Sequence, residues 1–506
     1  MDYLLGIDFG GSASKATLLD AKGKVVATSS VEYRTYYPQP GWVEQNPADW
    51  YKALELNVKR LLAETDVSPC AIAAVCLDGP THTAVLLDAH HRVLRPAIYW
   101  TDKRSVEQVE FLKENHGELI ESLALHQVDT IWTLPQLLWV KENEPKIWER
   151  LTRLVFVKDY VRFLLTGEFY TDFIEAQGSM LFDCHEKTWS RSLCDLVELD
   201  PAKLPPIISP LEEAGQITKE AAEQTGLCVG TRVICGSTDT ALEVFAAGAV
   251  NLGQMTIKLA TAGRICVVTE KPWPNIYLVN YSHVVPNLWY PGTATKSCAS
   301  SYRWYRDTFG GDYNALDRAA GKVPPGSEGL LFHPYLAGEL TPYADPHLAA
   351  SFTGITAGHT KAHFNRAVLE GVGFSLLDCL RTIDELGIPR ENRAQLIGGG
   401  AKSKLWVQII ADMLGLELTR PENSDSSLGA AMLSGIACGI FASFDDAVRS
   451  CCRTHSVIEP DEQRHVRYGE IFPTYKQIQA AFAPICHQRD SYVRRTLRKK
   501  EEQELQ

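Results

Sequence analysis

Asp239 stands in Gly236-Ser237-Thr238-Asp239-Thr240-Ala241, directly after the apolar run 233–235. A carboxylate there either caps the helix that follows or works as a base in a cleft. A second carboxylate, Asp8, closes the apolar run 4–7 and is followed by Gly10, Gly11, Ser12 and Lys15. Glycines let backbone N–H groups approach phosphate oxygens, and an adjacent carboxylate can hold hydrated Mg²⁺. The GxxxxGK[ST] spacing of a Walker A loop is missing. Thr261 and Gly263 offer a hydroxyl and flexible backbone to outer phosphates. Gly398-Gly399-Gly400-Ala401 separates the strand-like run 394–397 from the helical pattern 406–414. Bare backbone there can lie against adenine or ribose beside a helix N-terminus. Taken singly, each motif also fits an ordinary turn. Together they suit phosphoryl transfer to an alcohol, which needs a base near the hydroxyl and Mg²⁺ to neutralise the phosphates.

The elements that must position these residues alternate between strand-like and helix-like patterns, so the fold class is α/β. Apolar runs at 4–8 and 16–19, broken by Gly10-Gly11-Ser12, read as a hairpin, and 255–259 with 265–268 around Thr261-Ala262-Gly263 echo it. The echo predicts an internal duplication in which two hairpins face a shared polyphosphate. Leu134, Leu137, Leu138 and Val140 predict a helix within 134–147, and an apolar stripe predicts another over 366–380. The domain boundary is expected near residue 250, and the charge-rich end, 494–506, is expected to be a solvated terminal helix.

With 506 residues, the chain is too long for one core, and two large domains are expected. Its apolar and charged fractions, 45% and 22%, are those of a soluble globular protein. The net charge of −12 argues against nucleic acid or anionic membrane as a general partner. Neither a signal peptide nor a long apolar span is visible, so a cytoplasmic protein is expected. The 13 cysteines are scattered with no CxxC pair, and reduced thiols are expected throughout.

In order and spacing, these motifs resemble the FGGY family of carbohydrate kinases, most closely its xylulokinase branch, from Gly6 to about Pro484. The most specific match is Ser351-Phe352-Thr353-Gly354-Ile355 with His363-Phe364-Asn365-Arg366-Ala367-Val368-Leu369-Glu370-Gly371. Gly6-Ile7-Asp8-Phe9-Gly10-Gly11-Ser12, Trp100-Thr101-Asp102-Lys103-Arg104, Lys158-Asp159-Tyr160 and Leu165-Thr166-Gly167-Glu168 also read as family landmarks. The resemblance implies two ribonuclease-H-like domains of the actin/hexokinase/Hsp70 superfold with a nucleotide cleft between them. Residues 1–250 would bind sugar, 251–485 would bind ATP, and 486–506 would be a charged tail. It makes Asp239 the catalytic base. Gly10, Gly11, Ser12, Lys15, Thr261 and Gly263 fall on the phosphate motifs, and Gly399, Gly400 and Ala401 on the adenosine motif. Asp8, through water, and Asp239 would hold Mg²⁺, while Thr81, His82, Asp102, Asp239 and Thr240 would face the sugar.

The chain has Gly79-Pro80-Thr81-His82-Thr83 where the branch has Gly-Gln-Met-His-Gly, and Asp239-Thr240 where Asp-Asn is usual. Gly11 replaces a threonine, Ala260 a glycine and Gln136 a lysine. The implied reaction is ATP-dependent phosphorylation of a ketopentose such as D-xylulose. Another ketose, a sugar alcohol, or weak turnover by a nucleotide-dependent sugar-binding protein are the alternatives. A homodimer is implied by analogy only.

Overall fold

A computed structural model describes residues 2–504. Strands β1 (Tyr3–Phe9), β2 (Ala13–Asp20), β3 (Val25–Glu32), β4 (Ile72–Gly79), β5 (Glu213–Gln216) and β6 (Arg232–Thr238) form one sheet, ordered β5-β6-β4-β1-β2-β3. Strands β7 (Met255–Leu259), β8 (Gly263–Val267), β9 (Gly292–Thr295), β10 (Arg393–Ile397), β11 (Glu417–Pro421) and β12 (Thr454–Ile458) form a second, ordered β9-β8-β7-β10-β11-β12. Each sheet has three consecutive antiparallel strands, two parallel additions beside the first of them, and an antiparallel edge. The sequence echo is therefore a duplicated, ribonuclease-H-like fold.

The helices that matter for the site are α1 (Pro47–Glu64), α2 (Val157–Thr166), α3 (Phe173–Gly178), α4 (Asp239–Ala246), α5 (Ala299–Phe309), α6 (Lys361–Glu385), α7 (Lys404–Leu414), α8 (Ser426–Ala437) and α9 (Glu462–Glu504). The helix expected within 134–147 is split into Thr133–Asn143 and Pro145–Arg150. Pro145 lacks an N–H and starts a new helix. Helix α9 runs into the charge-rich tail, whose residues 505 and 506 lie outside the described residues.

Strand alternation sorts the first sheet into two faces. Leu5, Ile7 and Phe9 pack with Trp50 and Leu54 of α1 and Val161 of α2. Leu4, Ala74, Cys76 and Ile234 pack on the other face, together with Leu428 and Ala431 of α8. Gly6 is required there, because a Cβ would lie 1.9 Å from the Ser427 carbonyl oxygen. Thus α8, late in the chain, closes the first sheet rather than the second. The second core is formed by Ile257, Leu259 and Ile265 with Leu369 and Val372 of α6, Trp406 and Ile410 of α7, and Tyr468 and Tyr475 of α9.

The expectation of reduced thiols throughout is corrected at one pair. Cys70 and Cys228 are disulfide-bonded across a sequence separation of 158, with Cα atoms 5.0 Å apart, and the other eleven cysteines are free. They lie just before β4 and β6, which pair in parallel, so the segments entering the two strands run side by side. That proximity comes from strand pairing and leaves no mark in cysteine spacing.

Candidate active site

Asp8 and Asp78 occupy matching positions near the ends of β1 and β4. Alternation places both on the face shared with Gly6 and Cys76, just past the N-terminus of α8. Burial is the main cause that raises the Asp8 carboxyl, to about 7; a hydrogen bond from Asp78 opposes it, while Asp425 and Asp239 reinforce it. Burial and the Asp8 charge push Asp78 well above the usual carboxylate range, and among the described residues no N–H or hydroxyl donates to either of its oxygens. Asp78 is therefore pushed toward its neutral form beside Asp8. The Asp8 carboxyl, close to losing its proton near neutrality, fits a hydrated cation. Among the described residues no three acidic, His or Cys side chains cluster tightly enough to chelate a metal alone. Mg²⁺ needs no such cage, since it keeps several waters and takes one or two carboxylates.

The turn after β1 directs its carbonyls inward. Gly10 O accepts from the Tyr33 hydroxyl, Gly11 O from Thr35 Oγ1 at 2.8 Å and Gln45 Nε2 at 2.9 Å, and Ser12 O from Tyr33 N at 3.0 Å. Gly11 and Ser12 themselves are exposed. A Cβ at Gly11 would lie 3.0 Å from Tyr99 Oη, so the tyrosine occupies the space a larger residue would need. Lys15 is held by Asp425, the N-cap of α8, at 2.5 Å.

Asp239 opens α4, but it is not the cap. Thr238 Oγ1 accepts from Ala241 N at 3.4 Å, and the Asp239 carboxylate receives only Thr240 N at 2.7 Å and Thr240 Oγ1 at 3.3 Å. Gly236 carries a register shift in β6; its φ is +74°, and a Cβ would sit 2.0 Å from Leu77 O. Ser237 donates to Asp172 at 2.9 Å, and Lys158 binds Asp172 at 2.8 Å and Asp159 at 2.6 Å. This buried network fixes the strand end that presents Asp239. Burial raises the Asp239 carboxyl, Lys258 opposes that rise, and Glu243 adds to it.

Three residues past β4, His82 adopts a positive φ of 75°. Its Nδ1 donates to Gly178 O at 2.6 Å and its Nε2 accepts from the Tyr281 hydroxyl at 3.1 Å. Burial holds the ring neutral, with a pKa of about 4. Thr81 is buried with its methyl group against Gly178, where a Cβ would come within 2.2 Å. Gln177 of α3 bonds Asn280 O and Ser282 N, both at 2.9 Å, and so sets Tyr281 over His82. Asp102 is fully engaged elsewhere: Arg104 donates to it through N, Nε and Nη2 at 2.8, 3.0 and 2.9 Å, and Val43 N donates as well.

In the second half, Thr261 is exposed at the hairpin tip. Its carbonyl accepts from Cys298 N at 3.0 Å and Ser300 Oγ at 2.7 Å, which joins the tip to the start of α5. Gly263 is buried against Thr295, where a Cβ would lie at 2.7 Å. The glycine turn after β10 touches the same hairpin. A Cβ at Gly398 would meet Leu259 O at 2.7 Å and one at Gly400 would meet Leu259 Cβ at 2.8 Å, whereas Gly399 faces open space. Ala401 packs in the second core.

The N-terminal and C-terminal domains of the FGGY family of carbohydrate kinases match residues 3–246 and 260–438. The chain belongs to the FGGY family of carbohydrate kinases. A xylulose kinase of Lactococcus lactis is 33% identical over 493 residues, spanning 96% of this chain and 98% of that protein. A gluconokinase of Bacillus subtilis is 28% identical, over 93% and 94% of the two chains. The crystal structure of xylulose kinase from Rhodospirillum rubrum superposes with a TM-score of 0.89 at 28% identity, covering 96% and 100%.

Several residues of this FGGY kinase escaped the motif reading. Asp78 ends an apolar strand in Asp-Gly, much as Asp8 ends β1, and that pattern was the available signal. Glu175 of α3 is buried, with neither carboxylate oxygen bonded, and burial pushes it well above the usual range. Asp425, Tyr281 and Lys258 become visible only through contacts with distant segments.

Proposed function

We propose that the protein phosphorylates a hydroxyl of a small sugar with ATP, giving the sugar phosphate and ADP, and that a ketopentose such as D-xylulose is the acceptor. The observation that carries this reading is Asp239 itself: half-buried, not used as the helix cap, and held after a bulged strand within electrostatic reach of Asp8 and Lys258. The full-length likeness to proteins named xylulose kinase supports the acceptor.

In this reading residues 1–250 bind the sugar and 251–485 bind ATP, with α8 returning to the first sheet, and the enzyme works in the cytoplasm. The amides of Gly11 and Ser12 and the Thr261 turn receive the phosphates, and Gly399 and Gly400 leave backbone free for the adenosine. Thr81, His82 and Thr240 shape the sugar side, and Asp102 acts through Arg104 rather than by contact. Asp239 accepts the hydroxyl proton as that oxygen bonds to the γ-phosphorus and the bond to the ADP oxygen breaks. Mg²⁺, held by Asp8 through water and faced by Asp239, would neutralise phosphate charge.

ADP release with MgATP across ketopentoses, aldoses, ketohexoses and polyols tests the reading. Stimulation by a ketopentose above the no-sugar rate is expected. A flat panel with MgATP demonstrably bound would contradict it.

A further inference from the structure

Lys258 lies two residues before the second hairpin's Ala260, and its side chain is 34% exposed. Its ammonium group is paired with Glu243 of α4. Glu243 follows Asp239 by one helical turn, and residues four apart share a helix face with Cβ atoms about 5–6 Å apart. The ammonium is thus tied through Glu243 to the helix that carries the proposed base, and its own strand leads into the proposed phosphate hairpin. The γ-phosphoryl group must lie between that base and that hairpin if Asp239 serves its attacking oxygen. The pair also joins the halves of the molecule, because β7 belongs to the second sheet and α4 continues the first. Burial works against the charge on Lys258, but Glu243 and Asp239 more than offset it, so the group stays protonated.

We propose that Lys258 is a further catalytic residue, whose ammonium group contacts the transferred phosphoryl group. This rests on the kinase reading above. The hydroxyl O–H bond breaks with its proton going to Asp239, the new O–P bond forms, and the old P–O bond leaves its electron pair on ADP. Lys258 keeps its proton throughout and neutralises charge on the phosphoryl oxygens.

The test uses the full chain with Lys258→Met, Lys258→Arg and Glu243→Gln, each checked for fold by circular dichroism, with kcat and KM measured for ATP and the best acceptor. Lys258→Met should lower kcat about 100-fold with both KM values within about threefold. Lys258→Arg should recover about tenfold of that loss, and Glu243→Gln, which keeps the ammonium, should lose less than about tenfold. A Lys258→Met kcat within about threefold of the parent would overturn the proposal. Equal damage from Glu243→Gln and Lys258→Met would also overturn it, making the pair a structural pin between the halves. Failure of the kinase reading is recognised separately, as an unmutated protein that binds MgATP but releases no acceptor-dependent ADP; that outcome overturns both.

Discussion

The proposed base, Asp239, has to be ionised, and burial works against its ionisation. Lys258 opposes that rise while Glu243 adds to it, so the carboxyl lies above its ordinary value. Turnover should therefore fall on the acid side at a pH above the ordinary aspartate range of about 4, because the protonated carboxyl cannot accept the hydroxyl proton. The pH profile of kcat at saturating substrates checks this, and a profile flat down to about pH 4 would contradict it. His82, held neutral with a pKa of about 4 and bonded at both nitrogens, should not contribute a limb near neutrality. Asp8 and Asp239 were candidates in sequence because each is a carboxylate at or just after an apolar run. Asp102 looked equally suited to a ligand, yet Arg104, two residues on, folds back and occupies both its oxygens. Residue type alone does not distinguish a carboxylate facing a cleft from one already paired.

At the scale of elements, the site depends on glycines where backbones nearly touch. Gly236→Ala would place a methyl group 2.0 Å from Leu77 O in a left-handed backbone conformation. We expect a loss of about 3 kcal/mol or more, read as a lower midpoint in chemical denaturation, with activity falling in the folded fraction because the strand end before Asp239 shifts. A midpoint unchanged within error would mean that the bulge relaxes freely. Both hairpins, the glycine turn and the long signature helix were visible from periodicity and turn residues. The partner of α8 was not: its apolar sequence does not say which sheet it covers. That choice is made by Gly6 and by Gly429, where a Cβ would meet Leu242 O at 2.2 Å. The Asp8–Asp78 pair was hidden for a related reason, since it depends on β1 and β4 pairing in parallel across some 70 residues of chain.

At the scale of the whole molecule, two copies of one sheet topology are present, and in the proposed reading their contributions differ. In that reading the first copy would supply Asp8, Asp239 and the buried Lys158 network, and the second the Thr261 hairpin, the glycine turn and Lys258. The duplication was legible as an echo of strand, glycine and strand, whereas the Cys70–Cys228 link and the Lys258–Glu243 bridge arise only once the sheets are built. If Asp239 is the base, donor binding and proton removal are separable functions of this assembly. The most direct test is Asp239→Asn, with MgATP affinity measured by calorimetry and sugar-dependent ADP release measured on the same preparation. We predict a dissociation constant for MgATP within about threefold of the parent and turnover lower by about two orders of magnitude or more. Parental turnover in that variant would contradict the account.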